Sequence, residues 1–203
     1  MIKECFKNRN FRLLWGAGGM TGIARAMEFL ALSLYALQEL GLPYLVTIIF
    51  AARMLPMSLL GIIIGTISER ISPLLLIKII YSLSNIFTAT SVVLVVTNNF
   101  NVYFAFILAF INGITWVVDL AVRRRVLAVN IKKNLLSSSL AMETLSNNAT
   151  RLIGPLCAGS LYAFVGLSGI FCLQLLMYIF ALGLIFRFKD NTNKKQFLNS
   201  SNK

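Results

Sequence analysis

The chain has 203 residues, 58% of them hydrophobic and 13% charged, with a mean hydropathy of +0.79. A soluble domain averages about 45–50% apolar and about 25% charged residues, so the composition excludes an ordinary soluble domain and points to the membrane. A formal charge of +12 would suit nucleic acid, but the basic residues sit between long apolar runs. Orientation in a bilayer and contact with anionic lipid account for them there, and no basic soluble domain is left to bind nucleic acid.

Residues 1–12 form a polar tail, expected to be retained rather than cleaved as a signal. A membrane span needs about 20 apolar residues. Six segments meet that length: 13–37, 44–66, 74–97, 102–122, 138–164 and 169–187. The expected fold class is therefore an all-α membrane protein. Span one carries Gly16, Gly18, Gly19 and Gly22, a small-residue stretch suited to close helix packing. It has no following Lys-Ser/Thr and is not a phosphate loop. Pro56 and Pro155 are expected to bend spans two and five. Span five opens with SSSLAMETLSNNATRLIGP, which is polar for lipid. Its first half is expected to face protein or a cavity, the alternative being an amphipathic surface helix before a short span. Trp15 and Tyr44 suit interfacial anchoring, and Trp116, deeper in span four, suits a cavity wall. Residues 188–203 are polar and expected to be disordered.

The connecting segments alternate in charge. One set is the N-terminal tail, the loops near 67–73 and 123–134, and the tail from Arg187. With the adjoining Lys78 it holds sixteen of the 19 Lys and Arg residues. The other set, QELGLP, NNFN and VGLS, holds none. Basic loops stay in the cytoplasm, so both termini are expected there. Histidine is absent, and Cys5, Cys157 and Cys172 have no paired spacing. Zinc chemistry and histidine-assisted nucleophilic catalysis have no starting material, so no enzyme, metal or cofactor is expected.

FKNRNFRLLW before span one, the glycine-rich first helix, GTISER between spans two and three, and RLIGP in span five resemble the N-terminal six-span half of a major facilitator superfamily transporter. The likeness is to the bacterial branch of enterobactin and multidrug exporters, over residues 6–187. In that family the loop after span two reads roughly G-x-x-x-D-R-x-G-R-R. Gly65, Glu69 and Arg70 match it here; Glu replaces Asp, Ser72 stands for Gly, and Pro73-Leu74 replace the basic pair. The resemblance implies a cytoplasmic gate in which Arg70 pairs with an acid at the end of span four. Asp119 is the candidate, with Arg123 beside it. Family members have about twelve spans, so a second six-helix bundle, as a separate chain or a second copy, is the implied partner.

The resemblance also implies two inverted three-helix repeats. TGIARAMEFLA in span one aligns with NGITWVVDLAV in span four, matching Gly22 to Gly113 and Glu28 to Asp119. ARMLPMSLLG aligns with TRLIGPLCAG, matching Arg53 to Arg151. Six ionisable groups fall inside spans: Arg25, Glu28, Arg53, Asp119, Glu143 and Arg151. Each costs at least roughly 2.5–3.5 kcal/mol at mid-bilayer on insertion scales, so each should face protein or water and find a partner. Arg25 and Glu28 lie one turn apart on one helix face, so Glu28 is expected to pair with Arg25, Arg53 or both. Glu143 is expected to meet the Arg123–Arg125 cluster or Arg151.

Arg25, Glu28 and Trp116 are thus the substrate or proton-coupling candidates, weighed against a purely structural ion pair. Arg53, Glu143 and Arg151 form a charge network with a structural role in front. The functional expectation is one half of a secondary active, proton-coupled exporter of a small amphipathic molecule, working by alternating access. The alternative is a truncated or structural membrane subunit without transport activity of its own.

Overall fold

In the computed structural model, residues 2–131 and 133–188 are described, with backbone alone for residues 2, 3, 60–70, 133 and 134. All regular structure among them is helical: α1 (Ile2–Lys7), α2 (Arg9–Leu34), α3 (Pro43–Arg70), α4 (Pro73–Val96), α5 (Val102–Asn130) and α6 (Lys133–Phe186). Helix α2 runs on into a π-helical turn, Tyr35–Glu39.

The helix starts follow from local chemistry. The side chain of Asn8 accepts from Asn10 N at 3.0 Å before α2, and that of Asn101 accepts from Phe104 N at 2.9 Å before α5. Both satisfy amide groups that a helix start leaves without partners. Helices α3 and α4 begin with Pro43 and Pro73, whose missing N–H costs nothing at a first turn. The Gly41 φ of +65° makes the sharp turn into α3.

Helix α6 is two helices in effect. Gly166 has φ 66° and ψ −160°, so the arms 133–165 and 167–186 meet at a break. Packing shows that the chain folds back there. Leu135 and Leu140, from the start of α6, and Ile185, from its end, join one apolar cluster with Phe11, Ile77 and Val122. The middle of α6, Ala158 and Ile170, joins a second cluster with Leu32, Ile49 and Ala105. Helices α2, α4 and α5 also have one end in each cluster, and α3 starts in the second cluster and leads to Ile71 in the first. The polypeptide therefore runs between the two clusters six times.

Four of the helices are long and apolar enough to cross a membrane: Arg9–Glu39, Pro73–Val96, Val102–Asn130 and Leu135–Phe186. The described side chains of α3 give a shorter apolar stretch, Pro43–Leu59. A helix satisfies its own backbone hydrogen bonds, which is what hydrocarbon demands. The described residues thus form a helical bundle with several helices long and apolar enough to cross a membrane. Helix α5 continues through Asn130, so Arg123, Arg124 and Arg125 lie on a helix and not in the loop expected from 123. Residues 188–203, expected to form a tail, lie outside the described residues save for Phe188.

The helices pair as α2 with α6 and α3 with α5, while α4 lies against α5 and α6. Small residues set both close pairings. A Cβ on Gly22 would stand 2.7 Å from Thr150 Oγ1, and one on Gly154 would strike Ala26 and stand 3.0 Å from the Ile23 carbonyl oxygen. A Cβ on Gly113 would overlap the Arg53 carbonyl oxygen and come to 3.1 Å from Pro56 Cγ. Lipid tails are as apolar as side chains, so close van der Waals contact holds helices together here more than burial does.

Candidate functional site

Between the two apolar clusters lies a layer of buried polar side chains: Thr21, Arg25 and Glu28 on α2, Ser84 and Thr88 on α4, Asn112, Thr115, Asp119 and Arg123 on α5, and Glu143, Thr150 and Gln174 on α6. Each is at most 8% exposed, so hydrogen bonds and charge pairing among them decide whether the bundle tolerates them.

Asp119 is the hub. Arg25 Nη2 donates to its Oδ2 at 2.6 Å, Arg123 Nε stands 3.2 Å from Oδ1, and the Tyr81 hydroxyl donates to Oδ1 at 3.0 Å. Arg123 lies one turn from Asp119 on α5 and also meets Glu143 Oε1 at 3.4 Å, so the network reaches the first arm of α6. Arg25 Nη2 donates in addition to Thr21 Oγ1 at 3.3 Å. Two arginines and two carboxylates give a net charge of zero. The layer joins four helices by electrostatics that a low dielectric strengthens. Gly18 makes room for the Arg123 guanidinium, which occupies the place of the missing Cβ.

This corrects the sequence reading in one place: Arg25 pairs with Asp119 across helices and not with Glu28 one turn away. Asp119 is fully buried and takes Arg25, Arg123 and Tyr81 as partners, and its expected pairing with Arg70 falls outside the described side chains. The side chains of Gly65, Glu69 and Arg70 lie outside the described residues. Glu143 does meet Arg123, within the cluster expected for it. Tyr81 went unnoticed in the sequence; a tyrosine two turns into an apolar span was the available signal.

Glu28 is 2% exposed, and its partner is an amide: Gln174 Nε2 donates to Oε2 at 2.5 Å. Among the described residues no Lys or Arg stands within ion-pair distance of it. It borders a cavity of about 10 Å³ together with Ser84, Thr88, Asn112, Thr115 and Tyr178, room for about one water molecule. Both amide atoms of Asn112 and Oε1 of Gln174 lack a protein partner.

Arg53 and Arg151, aligned in the sequence as equivalents, converge on one aromatic ring. Each guanidinium carbon lies 5.4 Å from the Trp116 ring centroid. Arg53 also lies 5.4 Å from the Phe29 ring and donates through Nη1 to the Arg25 carbonyl at 3.2 Å. Neither arginine has a carboxylate within ion-pair distance among the described residues. Trp116 in turn walls a groove of about 200 Å³ with Met57, Val117, Leu120, Ala121 and Arg124. Trp15, expected at an interface, donates to the Met142 carbonyl at 3.4 Å and packs edge-on against Phe6.

Among the described residues no group of His, Cys, Asp and Glu is placed to hold a metal ion. Comparison with known proteins adds one match. The family model for transmembrane secretion effectors, of the major facilitator type, covers residues 4–201. No curated protein and no solved structure matches the chain. With a polar layer buried in a multi-pass helical bundle and a family match across nearly its whole length, the chain belongs to the transmembrane secretion effector family of major facilitator-type transporters.

Proposed function

We propose that this chain is the six-span bundle of a secondary active exporter, set in a bacterial cytoplasmic membrane with both ends of the bundle in the cytoplasm, and that Glu28 carries the coupling proton. The observation that carries the reading is the difference between the buried carboxylates. Asp119 is held by two arginines and a tyrosine, so protonating it would break ion pairs. Glu28 is as deeply buried but held by an amide beside a water-sized cavity. It takes up or releases a proton without dismantling an ion pair, and water reaching the cavity completes the path.

The six passes between two apolar clusters support six spans. The exchange of partners supports two inverted repeats: α2 crosses α6 at Gly22 and Thr150, next to Arg151, while α5 crosses α3 at Gly113 and Arg53. Those are the positions that the internal alignment equates. Lys78 stands 4.9 Å from the Phe186 ring at the cluster shared by both chain ends, which supports placing that cluster toward the cytoplasm. Exposed apolar side chains on α3 and the first arm of α6, Met57, Leu59, Leu152 and Leu156, form the face on which a second six-helix bundle would close a central pathway.

The test is collapse of a pH gradient in everted vesicles on adding amphipathic organic anions and cations. Wild-type protein should dissipate the gradient with at least one class of compound. Glu28→Gln should abolish that response while folding normally. A response of wild-type size in Glu28→Gln would remove Glu28 from coupling.

A further inference from the structure

Arg53 and Arg151 are the anomaly in the bundle. The buried arginines are neutralised: Arg25 and Arg123 share Asp119, and Arg123 adds Glu143, whereas Arg53 is half-buried, Arg151 is exposed, and neither meets an acid among the described residues. Arg53 uses one donor on a main-chain carbonyl, and Arg151 makes no hydrogen bond among the described residues. A guanidinium carries five N–H donors, so most of their capacity is unspent. The two like charges repel, and an apolar surrounding makes that repulsion stronger. An aromatic face offsets it only weakly, well short of what a carboxylate supplies. Arg124 adds a third positive charge at the wall of the adjoining groove.

From this arrangement we infer that Arg53, Arg151 and Trp116 form a binding site for an organic anion, a carboxylate or phosphate attached to a flat apolar body. The guanidiniums supply paired N–H donors to the anionic head. The indole and the groove side chains Met57, Val117 and Leu120 receive the body. The inference rests on the transporter reading and names its substrate class. It also reverses the structural role that the sequence suggested for both arginines. The site stands on the open face of α3 and α6, while Glu28 lines a separate water-sized cavity, so anion binding and proton uptake involve different groups.

The full-length chain in phosphatidylcholine nanodiscs provides the test, with Trp15→Phe leaving Trp116 as the one tryptophan. Sodium benzoate should change Trp116 fluorescence saturably, and neutral benzamide should bind roughly tenfold or more weakly. Arg151→Gln and Arg53→Gln should each weaken benzoate by a similar factor, and Arg151→Lys should fall between. Lys78→Gln should bind as wild type. Replacing part of the lipid with phosphatidylglycerol separates the sources. Competition with benzoate identifies an anionic lipid head as occupant, and no competition identifies a soluble organic anion; either result upholds the chemistry. Equal binding of benzoate and benzamide, or undiminished benzoate binding in a monodisperse Arg151→Gln protein, overturns the inference. Glu28→Gln removes a negative charge from the neighbourhood of Arg53 and should bind benzoate at least as tightly as wild type, so loss of the anion site and loss of the proton role register as separate failures.

Discussion

Two sets of arginines in this bundle have the same side chain and opposite circumstances. Arg25 and Arg123 are nearly inaccessible and are held by carboxylates at 2.6–3.4 Å. Arg53 and Arg151 share an indole and no acid. The first set is closed: its charges cancel, and its geometry ties α2, α5, α6 and, through Tyr81, α4 together. The second set is open and positive, and it packs on the Trp116 ring, which walls a groove. Closure makes a charge architectural, because anything entering would have to break a pair. Openness leaves a charge with unused donors, which is the condition for recognising something else. Pairing and depth together separate the two sets: the paired arginines are buried, and the unpaired ones are half-buried or exposed.

The comparison is broken most directly at its hub. Asp119→Asn leaves the buried Arg25 without an acid and Arg123 with Glu143 alone, and should destabilise the protein by about 3–5 kcal/mol, read as loss of folded protein on titration with denaturing detergent. If that variant were as stable as wild type, the closed set would not be scaffold. Tyr81→Phe removes a single hydrogen bond to a charged acceptor, so about 1.5–3 kcal/mol should be lost in the same assay. Gly113→Ala forces a methyl onto the Arg53 carbonyl and should cost about 1–3 kcal/mol. Gly22→Ala meets a side chain that can move, and its cost should be smaller. At the other end, Arg151→Gln should change stability by no more than about 0.5 kcal/mol, because the side chain is exposed and unbonded. A large loss there would place Arg151 with the scaffold.

Much of this was readable from residues. Length and hydropathy found the apolar passes, and the loop VGLS marked the reversal at Gly166. The weak internal alignment picked out Gly22 and Gly113, and both turned out to lie at close helix contacts. What failed was charge pairing. Arg25 and Glu28 are three residues apart, and spacing along one helix is the distance a sequence displays. Asp119 is 94 positions from Arg25, and only the crossing of α2 near α5 brings them to 2.6 Å. Helix ends were blurred for a related reason. Arg123 to Arg125 looked like a loop because they are charged, yet arginine is a good helix former and α5 simply continues beyond the apolar stretch. The Glu28–Gln174 contact depends on α6 turning back, and no local pattern encodes which residue of the returning arm arrives opposite Glu28.

The contact of Gly113 with the main chain of Arg53 has a mechanical meaning. At that level no layer of side chains separates α3 from α5, so sliding one helix along the other drives backbone into backbone or wedges a neighbouring side chain between them. Tilting about the contact leaves it almost unchanged. The crossing is thus a fulcrum, and Arg53 sits on it. If α3 tilts, its ends sweep through the largest arcs while the residue at the pivot keeps its position beside Trp116. A charge mounted on a pivot presents the same face to its surroundings however the levers above and below it are set.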